Sequence, residues 1–210
     1  MTAVATKSEL YALLETYGGL AFERHMDLAT FTAFSAAHPD LIAEREPSGK
    51  VIIMSPVKSA SGRNESYLNG YVFAWFLANG KPGEVYSPST GFELAGEQIR
   101  CGDTAWVGAE RHAQFTSQPD HKTKWVNVCP DFVIEVRSST DRLTSLQRKM
   151  TEVWIANGTR LAWLIDTEHE VTYIYRPGAA EPEEVRDFDR AVLSGEEVMP
   201  GFEFPLVELM

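Results

Sequence analysis

The sequence predicts an α/β domain, and three observations carry that reading. Two short runs, Asp131–Val136 (DFVIEV) and Leu161–Asp166 (LAWLID), are almost wholly apolar, as strands covered on both faces are. A single helical segment lies between them, and a crossover through one helix makes such strands parallel neighbours. Upstream, Glu84–Tyr86, Gly91–Leu94 and Asp103–Val107 are short and β-like, separated by Pro, Gly and Ser. With 210 residues, 44% of them hydrophobic, the chain can bury the core of one domain with added elements.

The elements follow in order. Residues 7–17 place Leu10, Leu13, Leu14 and Tyr17 at helical spacing, ending at Gly18-Gly19. Asp27, a residue type suited to an N-cap, opens a second helix carrying Leu28, Phe31 and Phe34 up to His38-Pro39. Residues 41–46 and 51–54 flank a Pro-Ser-Gly turn and read as a hairpin. Residues 61–79 read as a long helix with Tyr67, Leu68, Tyr71, Val72, Trp75 and Phe76 on one face. Residues 108–128 are polar and irregular, as a surface excursion would be. Asp141 opens the crossover helix, whose inner side holds Leu143, Leu146, Met150, Val153 and Trp154 and which stops at Asn157-Gly158. Val171–Tyr175 is a further strand, and residues 177–190 read as an acidic, Pro-rich exposed loop. No repeat or linker divides the chain, which is expected to form one domain over 25–210 behind an N-terminal extension, 1–24.

Composition excludes several classes. Thirty acidic residues against 19 basic ones give a net charge of −11, which disfavours a wrap-around nucleic-acid binder or an anionic-membrane binder. No apolar stretch approaches a transmembrane span and the N-terminus lacks a signal-peptide pattern, so a cytoplasmic protein without a membrane partner is expected. Cys101 and Cys129 form no CxxC pair and read as buried thiols, and the five histidines show no zinc-ligand spacing.

The informative residues are charges in apolar settings. Glu135 sits inside Phe132-Val133-Ile134-Glu135-Val136, where a lone carboxylate must be neutral, paired or metal-bound unless its face is a solvated groove. Asp103 begins the strand Thr104–Val107, although a turn residue would also be found there. Two carboxylates on neighbouring strands can converge on one hard cation such as Mg²⁺, which activates water and neutralises charge in phosphodiester cleavage. Arg137, two residues after Glu135, falls on the same sheet face by the period-two rule, and Lys149 on the next helix could reach over the strand end. Lys149 also suits a solvated helix face, and Glu65 a favourable first-turn position as readily as a metal or water contact. Glu44 and Glu46 give the hairpin an acidic face, which is more often its wet side.

Taken as a set, these segments resemble the Uma-two family of putative restriction endonucleases, within the PD-(D/E)xK nuclease superfamily. The resemblance rests on Val51–Pro56, Ser89–Phe92, Asp103–Val107, Asp131–Ser138, Asp141 through Lys149, Gly158–Asp166, and the tail from Leu193 to Phe202, running in order from about residue 25 to 210. It implies a restriction-endonuclease-like mixed central sheet with flanking helices, an αβββαβ core carrying the N-terminal helix and hairpin as additions. It implies that Asp103 is the metal-binding Asp and Glu135 the first carboxylate of the (D/E)xK element. The usual Pro before the Asp is Gly102, and the usual Lys after the Glu is Arg137, which stays charged and cannot serve as a base. In this family a helix Lys is thought to replace the missing one, and Lys149 matches that position. The family's His near the start of the long helix is Asn64, and Glu65, Glu44 or Glu46 would be the accessory acid.

Two functions follow from the resemblance. One is a Mg²⁺-dependent DNA endonuclease, with Mn²⁺ as substitute, in which Asp103, Glu135, Lys149, Arg137 and Glu65 act at the site and DNA binds weakly and through the metal. The other is a catalytically degenerate nuclease-fold module serving as an interaction or dimerisation scaffold. The resemblance also implies a homodimer, since nicking two strands needs two sites.

Overall fold

A computed structural model describes residues 19–21 and 25–210. The helix expected over 7–17 lies outside the described residues.

The central layer is a six-stranded sheet. Its strands are β4 (Glu84–Tyr86), β7 (Thr104–Val107), β8 (Phe132–Val136), β9 (Leu161–Asp166), β10 (Val171–Tyr175) and β11 (Glu183–Val185). They lie in the order β11-β10-β9-β8-β7-β4, and of these pairings only β8–β9 is parallel. The parallel pair is the crossover the two apolar runs predict, and every residue of both strands is buried. A second, antiparallel sheet has the order β1-β3-β2-β6-β5, from Gly19–Ala21, Val51–Met54, Ile42–Arg45, Gln98–Arg100 and Phe92–Leu94 respectively. Strands β12 (Val192–Ser194) and β13 (Glu203–Pro205) form a separate hairpin.

Two apolar layers sandwich the central sheet. Helix α1 (Leu28–Ala37), capped by the Asp27 carboxylate on the Thr30 N–H, buries Phe31 against the second sheet. Helix α2 (Ser59–Ala78) covers one face of the central sheet, packing Leu68, Val72, Trp75 and Phe76 on Trp106, Phe132, Ile134 and Trp163. Its buried stripe begins at Asn64, while Tyr67, expected on the inner face, is 40% exposed. The opposite face carries Ala105, Val107, Val133 and Leu164, covered by Met150, Val153 and Trp154 of the crossover.

Three expectations need correction. Residues 108–128 are not wholly irregular: Ala109–Thr116 form helix α3, which buries Phe115, and Val126 and Val128 are core residues. Only one α3 residue in eight is buried, so no apolar stripe announced the helix. The 177–190 stretch supplies edge strand β11 and buries Phe188, so it is not simply an exposed loop. The crossover begins as α4 (Leu143–Arg148) with Arg142 at its N-cap, and Asp141 does not open it. Asp141 closes a turn instead, accepting from the Ser138 N–H at 2.8 Å and the Ser138 hydroxyl at 2.6 Å. Beyond α4 the chain continues as a π turn, Lys149–Trp154, and a 3₁₀ turn, Ile155–Asn157, before Gly158 leaves with φ of 105°. Among the described residues no helix is long and apolar enough to cross a membrane.

Candidate active site

The register of β7 and β8 brings the two predicted acids together. The last paired residues are Thr104 and Ile134, so Asp103 and Glu135 occupy the next cross-strand position. Both share the face of Ala105 and Val133, because side chains alternate along a strand. Asp103 is tied down further: its Oδ2 accepts from the Val136 N–H at 2.6 Å, and its carbonyl accepts from Asn69 Nδ2 of α2 at 2.8 Å.

Lys149 reaches this position from the first residue of the π turn. Its Nζ lies 2.9 Å from Glu135 Oε1 and 3.1 Å from Oε2, and it donates to the Cys101 carbonyl at 2.7 Å. The same ammonium meets Glu44 Oε1 at 2.9 Å. Glu44 was expected on the wet side of the hairpin, yet it is only 3% exposed. The second sheet explains the difference: β2 is sandwiched between β3 and β6, and Glu44 turns into the junction between the two sheets. There it accepts from the Cys101 N–H at 3.0 Å and pairs with Arg100 Nε at 3.2 Å. Glu46 stays outside this cluster and acts on Arg148.

Arg137 does not join the site. The β8–β9 register places Asp166 beside it, and its Nη1 bonds Asp166 Oδ2 at 2.5 Å while Nε donates to the Asp141 carbonyl. His169 completes that group, with Nδ1 at 3.0 Å from both Asp166 oxygens. The period-two argument located the residue but not the lateral partner that captures its guanidinium.

Electrostatics distinguish the members. Burial pushes Asp103 up to about 7 against the lowering effect of the Val136 N–H and Lys149, with Glu65 and Asp141 raising it further. Burial likewise drives Glu135 up, Lys149 opposes this, and Asp103 and Glu44 add to it. Glu65, half-buried at the start of α2, is raised by burial and by Glu135. Glu44 goes the other way: burial penalises its charge, but Lys149, Arg100 and the Cys101 N–H prevail and hold it below the ordinary range. Burial opposes the charge on Lys149 too, but Glu135 and Glu44 outweigh it, so the amine stays protonated.

Four carboxylates (Glu44, Glu65, Asp103 and Glu135) thus crowd around two cations, Lys149 and Arg100. A buried network with a purely structural role is expected to balance its charges. Four carboxylates against two cations would leave two negative charges in surplus if all were ionised, a strain that the raised pKa values of Asp103 and Glu135 express, and these hard oxygen donors fit a divalent cation of the Mg²⁺ or Mn²⁺ kind. Among the described residues, no three His, Cys, Asp or Glu side chains are already gathered tightly enough to hold a metal ion. The fit therefore lies in donor chemistry and charge.

Residues 28–207 match the Uma2 family, described as "Putative restriction endonuclease". The chain belongs to this family. Its fold also matches a crystal structure titled as a putative nuclease belonging to DUF820 from Anabaena variabilis ATCC 29413, with a TM-score of 0.70. That likeness covers 88% of this chain and 97% of the other at 16% identity, and it speaks for a shared restriction-endonuclease-like fold. No match was found among the curated proteins. Of the residues the sequence singled out, the fold of this Uma2 chain brings together Asp103, Glu135, Lys149, Glu44 and Glu65. Arg100, Asn69 and the indole of Trp154 were not foreseen as members. Trp154 had been read as packing alone, yet its Nε1 donates to Glu135 Oε1 at 2.8 Å.

Proposed function

We propose that this Uma2 protein is a divalent-metal-dependent phosphodiesterase that cleaves DNA. The observation that carries the reading is the cross-strand pair Asp103–Glu135, one of whose members is gripped by a buried Lys149, in a cluster that sets four carboxylates against two cations. In this reading Asp103 and Glu135 hold Mg²⁺ or Mn²⁺, with Glu65 as accessory acid. Bound there, the metal would polarise the scissile phosphate and ease deprotonation of the attacking water.

The chain's own residues supply the rest. Lys149 stays charged, so it serves as a fixed positive group for charge that grows on the phosphate and not as a base. Glu44 and the Cys101 carbonyl fix its direction. Glu65, half-buried and raised in pKa by burial and by Glu135, stands beside the pair as the accessory acid. DNA contact is weak and salt-sensitive because the net charge is −11. The protein works in the cytoplasm as a homodimer, whose second copy supplies the site for the second strand.

The test is Mn²⁺ binding by calorimetry together with nicking of supercoiled plasmid in Mg²⁺ or Mn²⁺. Asp103→Asn and Glu135→Gln are each expected to remove metal binding and cleavage while the protein remains folded. Cleavage that persists unchanged in Glu135→Gln would sink the assignment. A wild-type protein that binds no divalent metal would leave the family's fold serving as a scaffold.

A further inference from the structure

Lys149 and Trp154 are five residues apart, and both touch Glu135. In a regular α-helix residues i and i+5 are separated by about 140° around the axis, so one could not face the strand if the other did. Here the six residues Lys149–Trp154 form a π turn, and the Ile155 N–H closes it onto the Met150 and Thr151 carbonyls. The wider turn narrows that separation, which helps bring the ammonium and the indole to one carboxylate. The two groups also meet each other, with Lys149 Nζ 5.8 Å from the centre of the indole.

The surroundings of the ring are shaped for it. Trp154 is fully buried, edge-on to Phe92 at 6.2 Å. Beneath it, residue 102 is a glycine, where an added Cβ would stand 3.5 Å from Trp154 Cζ2 and 2.9 Å from Val133 Cγ1. Gly102 precedes Asp103, so the backbone of that strand end runs close under the Val133 side chain with the indole in van der Waals reach.

We propose that Trp154 is a positioning residue for the Glu135 carboxylate. Its N–H fixes Oε1, so that the carboxylate plane is set by two donors from one π turn and the group cannot rotate away from Asp103. The proposal rests on the metal-dependent phosphodiesterase reading above. It adds a role for a residue that touches neither the nucleic acid nor the metal.

The test pairs kinetics with a signal that needs no turnover. Trp154→Phe keeps an aromatic ring in the core and removes only the donor edge. Its kcat for plasmid nicking should fall roughly ten- to a hundredfold, as for other groups that orient a metal-bound carboxylate, with KM for DNA within about twofold. The indole N–H resonance of Trp154, assigned in the wild type by triple-resonance spectroscopy, should move when Glu135→Gln is introduced and should be protected from solvent exchange in the wild type. A folded Trp154→Phe protein with wild-type kcat overturns the proposal. So does an indole resonance indifferent to Glu135→Gln, and this second measurement decides the matter if Trp154→Phe does not fold. Failure of the nuclease reading looks different: no divalent binding and no cleavage by the wild type, with the indole–Glu135 signal still present.

Discussion

Replacing Lys149 with Met tests the buried cluster most directly. The change keeps most of the side chain's apolar volume and removes an ammonium that sits 2.9 Å from each of two buried carboxylates, on Glu135 and Glu44. Removing one partner from a buried ion pair costs about 3–5 kcal/mol, because the remaining charge is left in low dielectric. For a domain of this size each kcal/mol moves the melting temperature by about 2–4 °C, so a drop of roughly 6–20 °C is expected. The pH dependence follows from the same loss. Without Lys149, Glu135 and Glu44 both lose a charge that holds their pKa values down: Glu135, already raised, moves further above the unfolded range near 4.3, and Glu44, held below that range in the wild type, moves up through it. Groups whose folded pKa exceeds the unfolded one destabilise as pH rises through that window, so the penalty should be largest at pH 8 and should shrink toward pH 5. Thermal and urea melts of both proteins at pH 5, 7 and 8 measure this. Adding Glu44→Gln to Lys149→Met should recover part of the loss, since one bare charge disappears. A change under about 3 °C, or one independent of pH, would refute a tightly coupled buried network.

Other perturbations separate the remaining roles. Asp103 and Glu135 carry pKa values raised to about 7, so without metal the protein should lose stability as pH rises from about 4 to 7, and Mn²⁺ affinity by calorimetry should be roughly tenfold weaker at pH 6 than at pH 8. Arg137→Lys should lower the melting temperature, because a bidentate-capable group is lost from a nearly fully buried Asp166, yet leave kcat within about twofold; a larger kinetic loss would place Arg137 in the site after all. Gly102→Ala should cost about 1–3 kcal/mol in urea melts, since the new Cβ would lie 2.9 Å from Val133 Cγ1.

The parts of the fold legible in the sequence are those where burial leaves a composition signal. Strands β8 and β9 read as unbroken apolar runs because both faces are covered, and that same context makes Glu135 visible as a misfit. Asp103 became legible through its place before a strand, and the register then set it opposite Glu135. Lys149 was assigned by family resemblance, since a Lys on a helix has no local mark of burial. Glu44 was a candidate accessory acid by resemblance, but its burial was illegible for a different reason: whether a hairpin residue faces water depends on what the other sheet does, and β6, which pairs with its strand, was not visible as a strand in Gln98–Arg100. Trp154 escaped because helical spacing assumes about 100° per residue, and a π turn breaks that assumption within the segment that matters.

The acidity that first argued against nucleic acid acquires a location in the structure. A charge of −11 spread over a surface repels a phosphate backbone at long range, and that remains true of the acidic stretch around β11. Four of the acids do something else, because Glu44, Glu65, Asp103 and Glu135 are drawn into one junction between two sheets. Lys149 cannot neutralise them all, and Arg137, the cation that the strand motif would have offered, is held by Asp166. With Arg100 and Lys149 as its cations, the cluster relies on protons at Asp103 and Glu135 for the rest of its balance, beside an ammonium that is fixed in direction and stays charged. On the proposed reading, a divalent cation that displaces those protons would reverse the local sign where a phosphate would sit. On this argument binding of DNA and binding of metal should be positively coupled: DNA affinity should rise when Mn²⁺ or Ca²⁺ is added to the wild type, and the same ions should produce no gain with Asp103→Asn. Gel-shift titrations at fixed ionic strength measure both, and equal affinity with and without divalent ions in the wild type would contradict it.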